Sequence, residues 1–278
     1  MRRYLELIER KLDEVLPRPE ARPGTLHEAM RYAVGTGGKR LRPVVCLAAA
    51  EAVGGKAEDA IYPACAIELL HNYTLIHDDL PAMDNDVERR GRPTVWKKFG
   101  EANAILAGDA LLALAYQVAA KAPRNVAAIV DVLGEKGVGV VQGQVEDIAW
   151  AKTRASDALE RPLNVTTSQL LNPATSELIP FIYLHKTADL FIAAAVMGGL
   201  AAGGGEGDVA ALRDYARNLG LAFQFEDDLL DGDSPYPRDV TERVVREATG
   251  TAIAALGRLP GNATFLKSLA EGLIGRKK

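Results

Sequence analysis

The stretch DAIYPACAIELLHNYTLIHDDL, residues 59–80, is rich in alanine and leucine and ends in two adjacent aspartates. Alanine and leucine are strong helix formers, and a segment that is apolar on most of its faces is typical of a buried helix. Residues 44–53 and 101–120 have the same character. These three segments predict the centre of a large helical bundle.

Helical patterns continue along the rest of the chain. Apolar residues recur at helical spacing from Leu5 to Leu16, and Pro17 ends that segment. Further helices are predicted over about 26–34, 124–142, 177–202, 208–231 and 239–275. The sequence shows no repeat of fixed period and no convincing strand, and the polar stretch 153–173 is interpreted as a surface excursion. We therefore predict an all-α protein with a single domain over residues 1–278.

Composition and charge exclude several classes of protein. A formal net charge of -4 carries no electrostatic footprint for nucleic acid. No uncharged apolar run approaches the roughly 20 residues that span a bilayer, and MRRYLELIERKLDEVL (1–16) lacks the apolar core of a signal peptide. Cys46 and Cys65 lie among apolar neighbours, which indicates core residues in a reducing compartment. We expect a cytoplasmic protein without nucleic-acid partners or a membrane span.

The helix over 59–80 leads into the first acidic cluster, LIHDDLPAMDND (75–86). Asp78 and Asp79 stand at the helix end. Pro81 disfavours continued helix, so the chain should turn there and bring Asp84 back towards the pair. The pattern predicts three carboxylates gathered at one helix terminus.

FQFEDDLLDG (223–232) is the second acidic cluster. Spacings of three and four residues place Asp227, Asp228 and Asp231 along one helical face, and Gly232 follows where a helix end is expected. A single acidic run is often a solvated surface. Both clusters here interrupt strongly apolar helices, so their repulsion requires a cation. Mg²⁺ suits them because it binds a few carboxylates and completes its shell with water and phosphate oxygens.

Basic residues accompany the acidic clusters. GGKRLRP (37–43) gathers Lys39, Arg40 and Arg42 behind two glycines and before a helix expected to start near Pro43, and free N–H groups at that end suit an anion. Arg89 and Arg90 follow the first cluster, and guanidinium groups suit diphosphate oxygens. On spacing alone these are either phosphate sites or exposed basic turns. We expect Arg40 to support the loop by pairing with an acidic neighbour.

Taken together, these motifs resemble the trans-polyprenyl diphosphate synthases, the farnesyl and geranylgeranyl diphosphate synthase family. DDLPAMD (78–84) resembles the first aspartate-rich motif of the family, and FQFEDDLLD (223–231) resembles the second. The likeness extends through GGKRLRP (37–43), RRGRPT (89–94), FGEANAILAGDALL (99–112) and HKT (185–187). The resemblance implies an isoprenoid synthase bundle with a central cavity between two Asp-rich helices, and a homodimer.

The resemblance also implies roles for individual residues. The metal ligands would be Asp78, Asp79, Asp84, Asp227, Asp228 and Asp231, with three Mg²⁺ per active site. Substrate-binding residues would be Lys39, Arg42 and His71 for isopentenyl diphosphate and Arg89 and Arg90 for the two diphosphates. Catalytic residues that hold the leaving group or shield a cation would be Lys186, Thr187 and Gln224. Alone, His71 would be interpreted as a structural histidine.

The implied reaction joins an allylic diphosphate, dimethylallyl or geranyl, to isopentenyl diphosphate. Tyr73 lies five residues before Asp78, about 7.5 Å along the helix, where a ring would close the cavity early. A similar aromatic in short-chain bacterial members makes farnesyl diphosphate the first expectation, with geranyl and geranylgeranyl diphosphate as alternatives. The plainer interpretation is that Tyr73 only packs between helices.

Several features depart from the family pattern. Asp231 leads through GDSPYP (232–237) straight into the next helix, so a longer, lysine-containing loop that helps to close the site is missing. Glu226 and Ala188 replace commoner residues, while GLIGRKK (272–278) resembles the basic C-terminus of the family. The short loop leaves open a low-activity or regulatory paralogue. A terpene cyclase is the other rival, although it would not need the second diphosphate site of GGKRLRP and His71.

Overall fold

The computed structural model describes residues 1–154, 166–172, 177–272 and 274. Its helices are α1 (Arg2–Val15), α2 (Gly24–Gly35), α3 (Leu41–Ala52), α4 (Ile61–Asp78), α5 (Val95–Phe99), α6 (Glu101–Ala119), α7 (Val126–Arg154), α8 (Thr167–Leu170), α9 (Leu178–Ile182), α10 (Asp189–Ala201), α11 (Glu206–Asp231), α12 (Arg238–Leu256) and α13 (Thr264–Glu271). A short 3-10 turn, Ala57–Ala60, precedes α4. The predicted all-α bundle is confirmed.

Helix α10 is the centre of the bundle. Every residue in it except Leu200 is buried, and it packs against α3, α4, α7 and α11. Small residues allow these close contacts, since a Cβ atom at Gly198 would overlap the backbone carbonyl of Cys46 in α3. Cys46 and Cys65 are free and buried in the main core, as predicted.

Two helical stretches are long and apolar enough to cross a membrane by length and composition. One is Leu178–Ala201, of which 72% of the most apolar window is buried inside the protein, as in the core helix of a bundle. The other is α6, with 39% buried. Length and composition therefore give only weak evidence for a membrane span.

Several predicted boundaries were wrong. The segment expected over 124–142 continues to Arg154, and the one expected over 239–275 is two helices, α12 and α13, separated by a turn around Pro260. The segment expected over 177–202 is one helical stretch interrupted by a π-helical turn, Tyr183–Ala188. Apolar periodicity reports neither a π-helical turn nor a polar helix extension, because both preserve a buried face. Helix α3 begins at Leu41, two residues before Pro43.

The expectation of no strand was also wrong, because the structure contains one short β-hairpin. Strands β1 (Glu88–Arg89) and β2 (Arg92–Pro93) pair antiparallel after the first acidic cluster. The connecting residues Arg90 and Gly91 both have positive φ, 55° and 73°, which is the geometry of a tight hairpin turn. Two-residue strands are too short to show alternation in a sequence.

A second, smaller core lies beside the end of α11. It contains Leu170, Ile179, Phe225, Tyr236, Val244 and Val245. Leu170 belongs to α8, which Thr166 caps by accepting a hydrogen bond from the backbone N–H of Gln169. Most of the stretch 153–173, interpreted above as a surface excursion, lies outside the described residues. Residues 166–172 pack against the beginning of α12.

Candidate active site

The first acidic cluster has the predicted turn. After α4 the backbone N–H of Asp84 donates to the carbonyl of Asp78 at 2.9 Å, so the chain folds back directly beyond Leu80. Asp79 is buried, with a side chain that is 4% exposed. The loop therefore brings Asp84 towards Asp78 and Asp79, as the position of Pro81 predicted.

These carboxylates are crowded. Burial raises the pKa of Asp78 to about 6, Lys186 opposes that shift, and the neighbouring charge of Asp84 adds to it. Burial also raises the pKa of Asp79. Arg89 offsets the charge of Asp79 with a hydrogen bond from Nε at 2.8 Å and an ion pair at 2.6 Å. The Arg89 guanidinium therefore offsets one of the three carboxylates, that of Asp79.

Arg40 has the supporting role expected from the sequence. It caps α3 in the left-handed conformation, and its buried guanidinium pairs with Glu68 at 2.7 Å and Glu9 at 2.8 Å. A third donation goes to the carbonyl of Val34 at 2.6 Å. These contacts join α1, α2 and α4 to the GGKRLRP loop and fix the loop in place.

Arg42 and His71 meet as predicted. The Arg42 guanidinium donates to His71 Nε2 at 3.3 Å, so the ring proton lies on Nδ1, because a guanidinium cannot accept. Burial lowers the pKa of Arg42 to about 10, which still leaves it charged at neutral pH. Burial and the charge of Arg42 lower the pKa of His71 well below its ordinary value. Arg42 is therefore a cation at neutral pH, and His71 beside it is a neutral hydrogen-bond donor.

Two polar atoms of this pair point to a missing ligand. Arg42 Nε and His71 Nδ1 are buried without a hydrogen-bond partner among the described residues. They adjoin a cavity of about 380 Å³ that is lined by Gly38, Lys39, Arg40, Leu41, Arg42, Glu68, His71, Arg90 and Phe223. Buried donors are normally satisfied, so an anion in this cavity would complete them. Lys39 is exposed at the cavity mouth.

Arg90 completes the wall of this cavity. Its guanidinium donates to the carbonyl of Gly37 and lies so close to Gly38 that a Cβ there would be 2.6 Å from Nη1. Gly38 has a φ of 132°, which other residues rarely adopt. Gly38 is thus explained by its positive φ and the close approach of Arg90, whereas Gly37 is explained by its φ of 84° alone.

The π-helical turn carries the other predicted residues. Lys186 forms an ion pair with Asp147 of α7, and Thr187 donates to Gln224 Oε1 at 2.7 Å. Gln224 in turn donates to Asp228 at 2.9 Å. Thr187 and Gln224 are therefore connected to Asp228 of the second acidic cluster, whereas Lys186 is paired with Asp147 of α7.

Sequence reasoning missed two residues of this network. The Tyr183 hydroxyl donates a hydrogen bond to Asp228, and the Asp147 carboxylate accepts a hydrogen bond from the ammonium group of Lys186. The contacts join residues 45 and 39 positions apart in the chain. The only local indication was that Tyr183 lies three residues before Lys186. Tyr183 and Asp147 both line a second cavity of about 190 Å³. The other residues that line it are Trp150, Ile179, Ile182, Lys186, Thr187, Gln224, Asp228, Asp233 and Pro235.

The two acidic clusters act on the same space. Asp78, in the first cluster, is influenced electrostatically by Lys186 of the π-helical turn. Arg42 is influenced by Asp227 of the second cluster, and its guanidinium stacks over the Phe191 ring at 4.9 Å. Electrostatic interactions therefore link the two Asp-bearing helices, α4 and α11, with Arg42 of α3 and Lys186 of the π-helical turn.

Tyr73 lies on the site-facing end of α4. Its ring makes an edge contact with His77 at a centroid distance of 4.9 Å. His77 approaches α6 so closely that a Cβ at Gly108 would overlap its ring. Burial raises the pKa of Tyr73, and Asp109 of α6 adds to that shift. Tyr73 thus lies between α4 and α6, and its role as a floor stays a prediction.

The short loop after Asp231 packs against the smaller core, and its residues Asp233 and Pro235 also line the second cavity. Gly232 ends α11 in the left-handed conformation, with φ of 76°. Tyr236 is buried against Phe225, whose ring contacts Tyr183 at 5.0 Å. The Ser234 hydroxyl accepts a hydrogen bond from the backbone N–H of Tyr236. The loop therefore completes the smaller core. The basic C-terminus lies outside the described residues apart from Gly272 and Ile274.

The donor chemistry fits Mg²⁺. Both clusters offer only carboxylate oxygens, and the raised pKa of Asp78 reflects burial and carboxylate crowding that a cation would relieve. Within the described ranges, no three acidic, histidine or cysteine side chains already converge as ligands. Both amide atoms of Gln144, one turn before Asp147, are buried without a partner among those residues. Phosphate oxygens and water would complete the coordination of an ion held by the carboxylates.

Comparison with known proteins agrees with this geometry. The profile of the Polyprenyl synthetase family matches residues 23–237. A heterodimeric geranylgeranyl pyrophosphate synthase large subunit of Arabidopsis thaliana is 44% identical over 81% of this chain, and the match covers 58% of that relative. Geranylgeranyl pyrophosphate synthase 3 of the same plant is 44% identical, with 99% of this chain and 80% of the relative covered. The chain thus spans less than two thirds of some relatives.

Solved structures agree as well. A farnesyl/geranylfarnesyl diphosphate synthase from Zymomonas mobilis superposes with a TM-score of 0.81 at 32% identity, covering 98% of this chain and 96% of that one. A geranyltransferase from Legionella pneumophila gives a TM-score of 0.81 at 33% identity, with coverages of 99% and 94%. Sequence, fold and site geometry therefore agree. The chain belongs to the polyprenyl synthetase family.

Proposed function

We propose that this chain is a short-chain trans-prenyltransferase that joins an allylic diphosphate to isopentenyl diphosphate. The observation that carries the proposal is a pair of cavities lined by the residues of these motifs. Arg42, His71 and Arg90 line one cavity, and Lys186 lines the other together with Asp228 of the second acidic cluster. Two anion sites and two carboxylate clusters are what two diphosphate substrates and their metal ions require.

The chain's residues have separate tasks in the proposed reaction. Lys39, Arg42, His71 and Arg90 would hold isopentenyl diphosphate, and Lys186 with Arg89 would face the allylic diphosphate. Bound Mg²⁺ would supply positive charge that stabilises the departing diphosphate. The allylic C–O bond breaks, and the double bond of isopentenyl diphosphate attacks the resulting cation. The released diphosphate then takes the proton whose loss forms the new double bond.

Thr187 and Gln224 would shield that cation. Their hydrogen bond at 2.7 Å aligns the Gln224 amide, which also donates to Asp228. Because Gln224 is held by both contacts, its amide dipole is oriented before the charge develops. This arrangement stabilises a short-lived cation without a protein nucleophile.

We infer geranylgeranyl diphosphate as the product. Farnesyl diphosphate was the first expectation from the sequence, but several relatives at 42–44% identity are named as geranylgeranyl synthases. Farnesyl diphosphate is the second candidate, favoured by the aromatic ring of Tyr73 between α4 and α6. The names of the relatives favour geranylgeranyl diphosphate and the Tyr73 ring favours farnesyl diphosphate, so analysis of the reaction product decides between the two.

A homodimer is part of the proposal. Five large apolar side chains are exposed on two neighbouring helices, namely Ile105 and Leu106 of α6 and Val138, Val141 and Val145 of α7. Exposed apolar patches of this kind are typical of protein interfaces. The identical patch on a second copy of the chain would cover them in a symmetric dimer.

Two further points stay proposals. Three Mg²⁺ per site would match six aspartates distributed over two clusters, with diphosphate oxygens as shared ligands. A cytoplasmic location is supported by two buried, unpaired cysteines, which are typical of a reducing compartment.

Diphosphate release tests the proposed function. We expect Mg²⁺-dependent release when dimethylallyl or geranyl diphosphate is mixed with isopentenyl diphosphate, and none with either substrate alone. Release from the allylic substrate alone would indicate a cyclase. A folded protein that releases nothing with any divalent metal would indicate a regulatory subunit.

A further inference from the structure

One buried carboxylate lies outside the site described above. Asp189 is the first residue of α10, its side chain is only 2% exposed, and the rest of α10 is apolar. Its Oδ2 lies 2.7 Å from Nδ1 of His185, and its Oδ1 lies 3.2 Å from Nζ of Lys136 in α7. Asp189 thus joins the π-helical turn to α7 through His185 and Lys136.

Helix α7 is shaped to receive this cluster. A Cβ at Gly139 would overlap Asp189 Oδ2, and a Cβ at Gly143 would lie 2.6 Å from the backbone nitrogen of Lys186. Both positions therefore require glycine for steric reasons, although glycine weakens a helix interior. By contrast, a Cβ at Gly134 of the same helix would make only an ordinary contact, 3.5 Å from Tyr116.

Burial of a charged pair is weak support for stability. Removing a carboxylate and an ammonium group from water costs much of what their attraction returns, and an apolar pair often serves as well. Asp189 directly continues the π-helical turn, so it does not stand at a free helix N-terminus, and the rest of α10 packs through apolar side chains. The buried contacts of Asp189 with Lys136 and His185 are therefore better explained by a role in shaping the backbone nearby than by a contribution to stability.

The geometry concerns the π-helical turn Tyr183–Ala188. Such a turn holds one extra residue, and turns of this kind are frequent at functional sites. His185 belongs to the turn and Asp189 follows it, so their contact spans the end of the irregular segment. Lys136 of α7 forms an ion pair with the same carboxylate, although Asp189 Oδ1 accepts no hydrogen bond among the described residues, and α7 also carries Asp147, the partner of Lys186.

We propose that Asp189 is a positioning residue. With Lys136 and His185 it fixes the π-helical turn, and so it sets where Lys186 and Thr187 point relative to Asp147 and Gln224. The effect on substrate rests on the proposed function, whereas the effect on the turn does not. The experiment therefore measures both.

Two variants displace the carboxylate by different means. Gly139→Ala pushes Asp189 aside without changing any charge, and Asp189→Asn removes the charge with little change in shape. Gly134→Ala is the matched control, since it makes the same substitution in the same helix where there is room. Circular dichroism and thermal unfolding first establish which variants fold, and either folded variant suffices.

Hydrogen exchange measured by mass spectrometry reports the turn directly. We expect peptides covering residues 183–188 to exchange about tenfold faster in Gly139→Ala and Asp189→Asn, because local opening becomes easier. Gly134→Ala should match the unmodified chain. Equal exchange in Gly139→Ala and Gly134→Ala would overturn the proposal, whether or not the chain has prenyltransferase activity.

Steady-state kinetics report the consequence for substrate. A shift of about 1 Å in a positioning group can lower turnover by about 100-fold. We expect kcat to fall by about that factor in both variants, with KM for isopentenyl diphosphate unchanged, because its site lies on α3 and α4. An equal rise in KM for both substrates with unchanged kcat would contradict positioning. An unmodified chain without activity would overturn the proposed function, and the exchange result would still decide the role of Asp189.

Discussion

Arg42 and His71 show how two side chains define each other's charge. The guanidinium donates to His71 Nε2 and, with burial, keeps the imidazole neutral. A neutral histidine with its proton on Nδ1 adds a hydrogen-bond donor to the anion cavity without adding charge repulsion. The pair can therefore bind a diphosphate while only one of the two groups carries charge.

The neutral state of His71 has a consequence for stability. Its pKa in the folded chain is well below the ordinary value of about 6.5 that applies when the chain unfolds. Above that pH neither state is protonated. Below it only the unfolded state gains a proton, so the free energy of unfolding falls as pH decreases, by up to about 1.4 kcal/mol per pH unit.

His71→Asn removes this dependence. We expect urea denaturation between pH 6.5 and 5 to show a flatter decline in the free energy of unfolding for His71→Asn than for the unmodified chain. His27→Asn is the control, since His27 contacts only the carbonyl of Arg18. Parallel declines in the unmodified chain and His71→Asn would contradict a neutral, buried His71.

Tyr73 is the residue on which product length depends in this account. Tyr73→Ala replaces a ring between α4 and α6 by a methyl group, which leaves room for a longer chain. Chromatography of the dephosphorylated products should show longer alcohols. Tyr62→Ala, in the same helix but beside Lys11, is the control and should not alter product length. An unchanged product from Tyr73→Ala would show that the cavity ends elsewhere.

Individual residues differed in how well the sequence predicted them. Pro81 predicted the return of Asp84, because proline restricts the backbone locally. The apposition of Arg42 and His71, 29 positions apart, came only from the family resemblance. Asp147 and Tyr183 were missed because their partners are distant in sequence and no local pattern marks such contacts. Side-chain pairs of this kind depend on how the helices pack.

Among the elements, the end of α11 is the one most altered from the family pattern. The short loop leaves the second cluster close to the smaller core, where Tyr236, Phe225 and Tyr183 contact one another. The Tyr183 hydroxyl donates a hydrogen bond to the Asp228 carboxylate. The carboxylate is thus oriented by an aromatic residue, a role that partner groups around metal ligands commonly have.

Gly232 is the point at which this short loop is most sensitive. Its φ of 76° favours glycine, and no atom lies near its missing Cβ. Gly232→Ala should therefore lower the free energy of unfolding by about 1 kcal/mol through backbone strain alone. Gly207→Ala, also in open space but without a positive φ, should be neutral or stabilising. Equal effects in urea denaturation would show that the left-handed turn is not required.

Elements were predicted well where apolar patterns were long. The buried helices α3 and α4, with the aspartates at the end of α4, followed from composition and periodicity, but the sequence did not single out α10 as the central helix, and α6 is only partly buried. The π-helical turn did not, because one extra residue hardly disturbs the apolar pattern of Leu178–Ala201. The turn depends on Asp189, Lys136 and two glycines of α7, which only packing brings together.

For the whole molecule, the exposed apolar patch on α6 and α7 predicts a dimer. Val141→Glu places a charge in that patch and should convert dimer to monomer in sedimentation experiments. Leu178→Glu, at an exposed apolar residue of α9, is the control and should remain dimeric. A monomeric unmodified chain, or a Val141→Glu variant that stays dimeric, would contradict an interface at this patch.

The central claim is that two acidic clusters and two anion cavities together perform prenyl transfer. The most direct measurement is chromatography of the dephosphorylated products after incubation with dimethylallyl diphosphate, isopentenyl diphosphate and Mg²⁺. The account predicts an alcohol extended by five-carbon units, geranylgeraniol first and farnesol second, that disappears with EDTA or in Asp227→Asn. A folded chain that yields no alcohol longer than the allylic substrate with any divalent metal would contradict it.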